Sequence, residues 1–172
     1  MFMDNIYLIM IIALAVLAIA DLIVGVSNDA VNFLNSAIGS KAVSFKTIMI
    51  VASFGVALGA IFSSGLMEVA RKGIFHPEEF MFNEIMIIFM AVMITDILLL
   101  DFFNSVGMPT STTVSIVFEL LGAAVAIAAV KIYKAEGGFP DLIPYINTET
   151  ATELILGILL FFVIAFTIGP II

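Results

Sequence analysis

Two clusters of polar residues interrupt an otherwise apolar chain of 172 residues. In the first, Asp21, Gly25, Asn28, Asn32 and Asn35 recur at helical spacing and share one face, with Asp29 and Ser36 adjoining. Carboxylate and amide oxygens are hard ligands, suited to Na⁺ or, for the carboxylates, to carrying a proton. Asn and Asp side chains also compete for backbone hydrogen bonds. Asn28-Asp29 therefore predicts a break in the first helix, whose freed carbonyls would join the ion site. The alternative is a solvated helix end at the membrane surface.

The second cluster holds Asp96 and Asp101, then Asn104-Ser105-Val106-Gly107-Met108-Pro109-Thr110-Ser111-Thr112-Thr113. Gly107 and Pro109 end one helix, and hydroxyl residues open the next. A helix start offers unpaired N–H groups and a positive dipole end, which bind anions without Lys or Arg. Ser111, Thr112 and Thr113 add three hydroxyl donors for oxyanion oxygens. The alternative is a polar turn at the membrane surface, with Ser111 or Thr110 as an ordinary N-cap. Glu119 follows on the face of Ser115, Gly122 and Ala126, either near the site or against a neighbouring helix.

Apolar helices must position both clusters. The chain is 63% hydrophobic and 12% charged, with mean hydropathy +1.26, against about 45–50% and about 25% for soluble domains. A crossing needs about 20 mostly apolar residues. Residues 7–26, 48–67, 82–100 and 114–133 are long enough, and 154–172 supplies a fifth run. The expectation is an all-α integral membrane protein forming one domain over residues 1–172, retained in the plasma or inner membrane. The first span lacks the basic start and cleavage site of a signal peptide.

Shorter patterns fill in the connections. Gly55, Gly59 and Ser63 recur every fourth residue, as on a close helix-packing face. His76-Pro77-Glu78-Glu79 reads as the start of the third span, and Thr150-Ala151-Thr152-Glu153 as a capping box for the last. Between them, Gly137-Gly138, Pro140 and Pro144 with Phe139 and Tyr145 predict an interfacial segment. Glu68 and His76 read as solvated.

Other classes of function have little support. A net charge of −8 argues against nucleic acid, which proteins grip with Lys and Arg. Without cysteine there are no thiolate sites. No nucleophile–base set or Walker loop is evident, so enzyme chemistry and a cofactor are not expected.

Together the clusters resemble the inorganic phosphate transporter family, the Na⁺- or H⁺-coupled phosphate symporters. Its Gly-Ala-Asn-Asp-x-x-Asn signature is similar to Val26-Ser27-Asn28-Asp29-Ala30-Val31-Asn32, followed by Gly39-Ser40-Lys41-Ala42. Its Pro-x-Ser-Thr-Thr signature matches Pro109-Thr110-Ser111-Thr112-Thr113, and Glu68-Val69-Ala70-Arg71-Lys72-Gly73-Ile74 resembles the basic segment between them. Departures are Val26 for a glycine, with Gly25 one place early, Asn35 for a glycine, Val114 for a frequent histidine, and Phe118-Glu119 for a small pair.

The resemblance implies an inverted-repeat symporter with a re-entrant hairpin around residues 109–113. Ser111, Thr112, Thr113 and Asn28 would contact phosphate; Asp29, Asn28 and Asn32 would hold the coupling Na⁺ or H⁺. Asp21, Asp96, Asp101 and Glu119 are accessory candidates. One copy of each signature is present, so the chain would supply one half of the binding site, completed by a second transporter half or a homo-oligomer within the bilayer. A transporter or channel for another ion, and a non-transporting assembly or sensing module, are the rival readings.

Overall fold

The computed structural model describes residues 2–63, 73–108, 110–136 and 141–168. The chain is all-α. Among the described residues the helices are α1 (Phe2–Ser40), α2 (Phe45–Phe62), a 3₁₀ turn (Pro77–Glu79), α3 (Phe82–Ser105), α4 (Thr112–Glu136) and α5 (Thr148–Ile168). The five α-helices are each long and apolar enough to cross a membrane. Residues 64–72 with Glu68, Arg71 and Lys72, then Pro109, 137–140 and 169–172 lie outside the described residues, together with the expectations placed on them.

The expected break in the first helix is corrected: α1 runs unbroken through Asn28 and Asp29. The propensity argument fails because the Asn28 side chain bonds to a different segment and so does not compete for its own backbone. Ser27 Oγ donates to Ile23 O at 2.8 Å, a contact compatible with an intact helix. At 1.5 Å per residue α1 is about 58 Å long, well beyond the about 30 Å of hydrocarbon.

Three helices form the packed unit. Tyr7 and Phe82 stack edge to face at 5.5 Å, and far along both helices Asn104 Nδ2 donates to Val24 O at 3.4 Å. Helices α1 and α3 therefore run parallel, side by side. Helix α4 returns antiparallel to α3, fixed at its far end by a 3.2 Å ion pair between Lys131 and Glu84. A core of Ile74, Phe75, Phe80, Ile88, Leu120 and Ala124 fills the closed end of this unit.

That end is tied further by an antiparallel bridge between Phe75 and Ile146. His76 N–H donates to Tyr145 O and Asn147 N–H to Ile74 O, at 3.0 and 3.1 Å. Lys131 Nζ lies 5.8 Å from the Phe80 ring and 5.7 Å from the Tyr145 ring. We call this the base, and the turn between α3 and α4 the tip.

Two helix starts differ from expectation. Helix α3 begins at Phe82, where Glu84 Oε2 accepts the Met81 N–H at 2.7 Å; Pro77 instead opens the separate 3₁₀ turn. Helix α5 begins at Thr148, and Asn147 Oδ1 accepts the Thr150 N–H at 3.1 Å, displacing the cap expected at Thr150. A Cβ built on Gly55 or Gly59 meets nothing within 4 Å, so the small-residue face of α2 has no neighbour among the described residues. Phe54, Phe62, Phe161 and Phe166 on α2 and α5 are likewise exposed.

Candidate functional site

The tip of the α3–α4 hairpin docks on α1. Helix α3 ends at Ser105, and Gly107, at φ +70°, takes the chain out of the helix in a conformation that favours glycine. Thr110 then lies against α1, two residues before α4 begins. Asn28 is fully buried, at 0% exposure. Its Nδ2 donates to Thr110 O at 2.6 Å, and its Oδ1 accepts the Thr110 N–H at 3.0 Å. One carboxamide thus satisfies both backbone groups of a residue that belongs to no helix, as a neighbouring strand would.

Asn32, one turn along α1, donates from Nδ2 to the same Thr110 O at 3.0 Å. A carbonyl oxygen has two lone pairs, so Thr110 O is saturated and is no cation ligand. The spacing of Asn28 and Asn32 serves this double grip. Asn28 was expected to touch phosphate and cation; the structure commits its carboxamide to Thr110 and buries it.

Beyond this clamp, the sequence-predicted residues gather. Thr112 Oγ1 donates a long 3.4 Å hydrogen bond to Asp29 Oδ1. Ser111 caps α4: its Oγ accepts the Val114 N–H at 3.4 Å and its carbonyl the Ser115 N–H at 3.0 Å. Asp29, Asn32, Ser111, Thr112 and Thr113 line one open pocket of about 560 Å³, whose wall is completed partly by Phe33 and Phe162. Among the described residues no Lys, Arg or His lines it. An anion entering it meets hydroxyls and a helix start, with one carboxylate opposite.

The accessory candidates divide. Asp96 is buried at 3% exposure and accepts from Ser115 Oγ at 2.8 Å, while Glu119 Oε1 lies 2.7 Å from the same hydroxyl. Asp21 on α1 adjoins Asp96. Asp21 Oδ1 and Glu119 Oε2 are buried with no hydrogen-bond partner among the described residues. Asp101 is exposed and stands apart. A second cleft of about 530 Å³ shares Thr110 and Val114 with the first pocket and reaches Ser115 and Glu119. Among the described residues no three His, Cys, Asp or Glu side chains converge as a metal cage. Asn35 is exposed and makes no side-chain bond to the tip.

The docked tip thus sets a helix start opposite the Asn28-Asp29 pair of α1. The model of the phosphate transporter family matches residues 25–172, which contain both signatures. The chain belongs to the phosphate transporter family. It is a multi-pass membrane protein by that membership and by its five apolar helices. It is 31% identical over 108 residues to a protein of Thermococcus kodakarensis with the provisional name phosphate permease. It is 34% identical over 104 residues to a similarly named protein of Helicobacter pylori. These matches cover 62% and 59% of this chain but only 27% and 20% of the two relatives. No solved structure matches.

Three participants were not singled out from sequence: Thr110 as the docking point, Ser115 as the bridge between two carboxyls, and Asn104 as a tie to α1. Ser115 and Glu119, four apart on one helix, were detectable as a pair. Thr110 was not, because only its backbone makes the polar contacts.

Proposed function

We propose that this chain supplies one half of the binding site of a cation-coupled inorganic phosphate symporter in the plasma or inner membrane. The observation that carries the reading is the single pocket shared by Asp29 and Asn32 with Ser111, Thr112 and Thr113. Phosphate is held by the three hydroxyls and the first-turn N–H groups of α4, donors that exchange well for water around an oxyanion. Asp29 and the oxygen of Asn32 hold the coupling ion, Na⁺ or H⁺.

Charge explains why the two solutes travel together. With no basic side chain lining the pocket among the described residues, an anion beside Asp29 is repelled unless a cation or proton neutralises the carboxylate. Each ligand then strengthens binding of the other by the same factor. The names of the two relatives, both phosphate permeases, favour phosphate over other oxyanions. Since the matched relatives extend far beyond the aligned segment, a second repeat or a second copy of the chain completes the site.

Equilibrium binding of labelled phosphate to membranes carrying the protein tests this, in Na⁺, in K⁺ and at low pH. Binding that requires Na⁺ or protons supports the symporter. Saturable binding of a different ion, unaffected by phosphate, supports the channel reading instead.

A further inference from the structure

The grip of Asn28 on Thr110 assigns this asparagine a role of its own. Both polar ends of its carboxamide meet the Thr110 backbone, at 2.6 and 3.0 Å, and none of its surface is exposed. It has no face left for a solute. Yet Thr110 immediately precedes Ser111, Thr112 and Thr113, and the segment from Val106 to Ser111 lies between helices. The amides of Val106, Gly107 and Met108 bond back to the end of α3, whereas both backbone groups of Thr110 are held by side chains of α1.

The remaining ties between tip and α1 are weaker or more exposed. Asn32 adds one bond from an exposed side chain, Asp29 accepts a 3.4 Å bond from Thr112, and Asn104 makes a 3.4 Å bond to Val24 O. The rest of the hairpin is anchored away from Thr110, by the 2.8 Å bond from Ser115 to Asp96 between α3 and α4 and, at the base, by Lys131, Glu84 and the Phe75–Ile146 bridge. Placement of the tip therefore falls chiefly to Asn28.

We infer that Asn28 is a positioning residue: it fixes Ser111, Thr112 and Thr113 in the pocket through the backbone of Thr110 and touches neither solute itself. The inference rests on the phosphate reading above only for the solute, since the clamp is measurable without it. It also separates Asn28 from its neighbour Asp29, which stays open to the pocket.

Two readouts in the membrane-embedded protein test it: hydrogen exchange across residues 106–114, and labelled-phosphate affinity as a function of Na⁺ and pH. In Asn28→Ala the Thr110 amide loses its acceptor, so its exchange should rise about tenfold or more and phosphate affinity should fall by a similar factor. Asn28→Asp keeps an acceptor for the Thr110 N–H but loses the donor to the carbonyl. It should be impaired in both readouts. Thr110→Val, which leaves the gripped backbone intact, should keep the exchange of its own amide within about twofold.

The proposal is overturned if Thr110 exchange is unchanged in both Asn28 variants. It is equally overturned if Thr110→Val raises exchange at position 110 as much as Asn28→Ala does. If the unaltered protein binds no phosphate, the transport reading fails, while exchange at Thr110 still decides the clamp.

Discussion

Thr112 Oγ1 sits 3.4 Å from Asp29 Oδ1, across the gap between the start of α4 and the middle of α1. A hydroxyl that can serve an anion and a carboxylate that repels one thus share a wall of the same pocket. That juxtaposition gives Asp29 a conditional role: it opposes phosphate when bare and supports it when neutralised. Asp29→Asn should therefore uncouple the solutes. Phosphate binding should persist but lose its dependence on Na⁺ or protons, as read by labelled-phosphate titration at several Na⁺ concentrations and pH values.

Ser111 acts twice, as N-cap and as candidate phosphate donor. Ser111→Ala removes a cap worth about 1 kcal/mol and a hydrogen bond to a charged group worth about 1.5–3 kcal/mol. Phosphate affinity should fall about ten- to hundredfold. Ser111→Asp retains an N-cap but adds a second negative charge, and should abolish phosphate binding while leaving thermal stability near that of the unaltered protein.

Ser115 joins Asp96 and Glu119 through one oxygen, at 2.8 and 2.7 Å. Ser115→Ala leaves one buried and one half-buried carboxyl group without that partner, a loss of about 2–3 kcal/mol. Thermal unfolding in detergent should shift down by about 5–10 °C. An unchanged midpoint would mean that Ser115 does not bridge the two helices.

Gly25 separates α1 from α3 near the tip. A Cβ there would lie 4.0 Å from Leu100 Cδ1, which is ordinary contact. Gly25→Ala should be tolerated. Gly25→Leu has no such room toward α3, and should push the helices apart and raise hydrogen exchange at residues 106–114, with Asn28 itself intact.

Lys131 belongs to the base. Lys131→Met removes its ion pair with Glu84, its bond to Glu79 O and its approach to the Phe80 and Tyr145 rings, about 1–2 kcal/mol in total. The thermal midpoint should fall, whereas phosphate affinity should not, because the base is at the opposite end of the hairpin from the pocket.

What the sequence disclosed follows from which interactions leave a local trace. The five apolar helices were legible because a membrane crossing demands an unbroken apolar run, and such runs are visible residue by residue. Ser111, Thr112 and Thr113 were legible as a helix start because Gly107 and Pro109 interrupt the run before them. The continuity of α1 was not, since the Asn28 carboxamide is satisfied by Thr110, 82 positions away. The same long-range bond hid the role of Thr110. Gly55 and Gly59 show the converse: their spacing is a local trace of packing, but the helix it would fit is not among the described residues.

Phe33 offers the most direct test of the pocket. It lines the cavity beside Asp29 and Asn32 without being a proposed ligand, and it is 76% exposed. The chain has no cysteine, so Phe33→Cys creates a single reactive thiol in it, with Val106→Cys, exposed outside the pocket, as control. Maleimide labelling is then timed with and without saturating phosphate, in the presence of Na⁺ or at low pH. The account predicts that phosphate slows labelling at position 33 severalfold, that sulfate does so less, and that position 106 is unaffected. Equal labelling at position 33 with and without phosphate would contradict it.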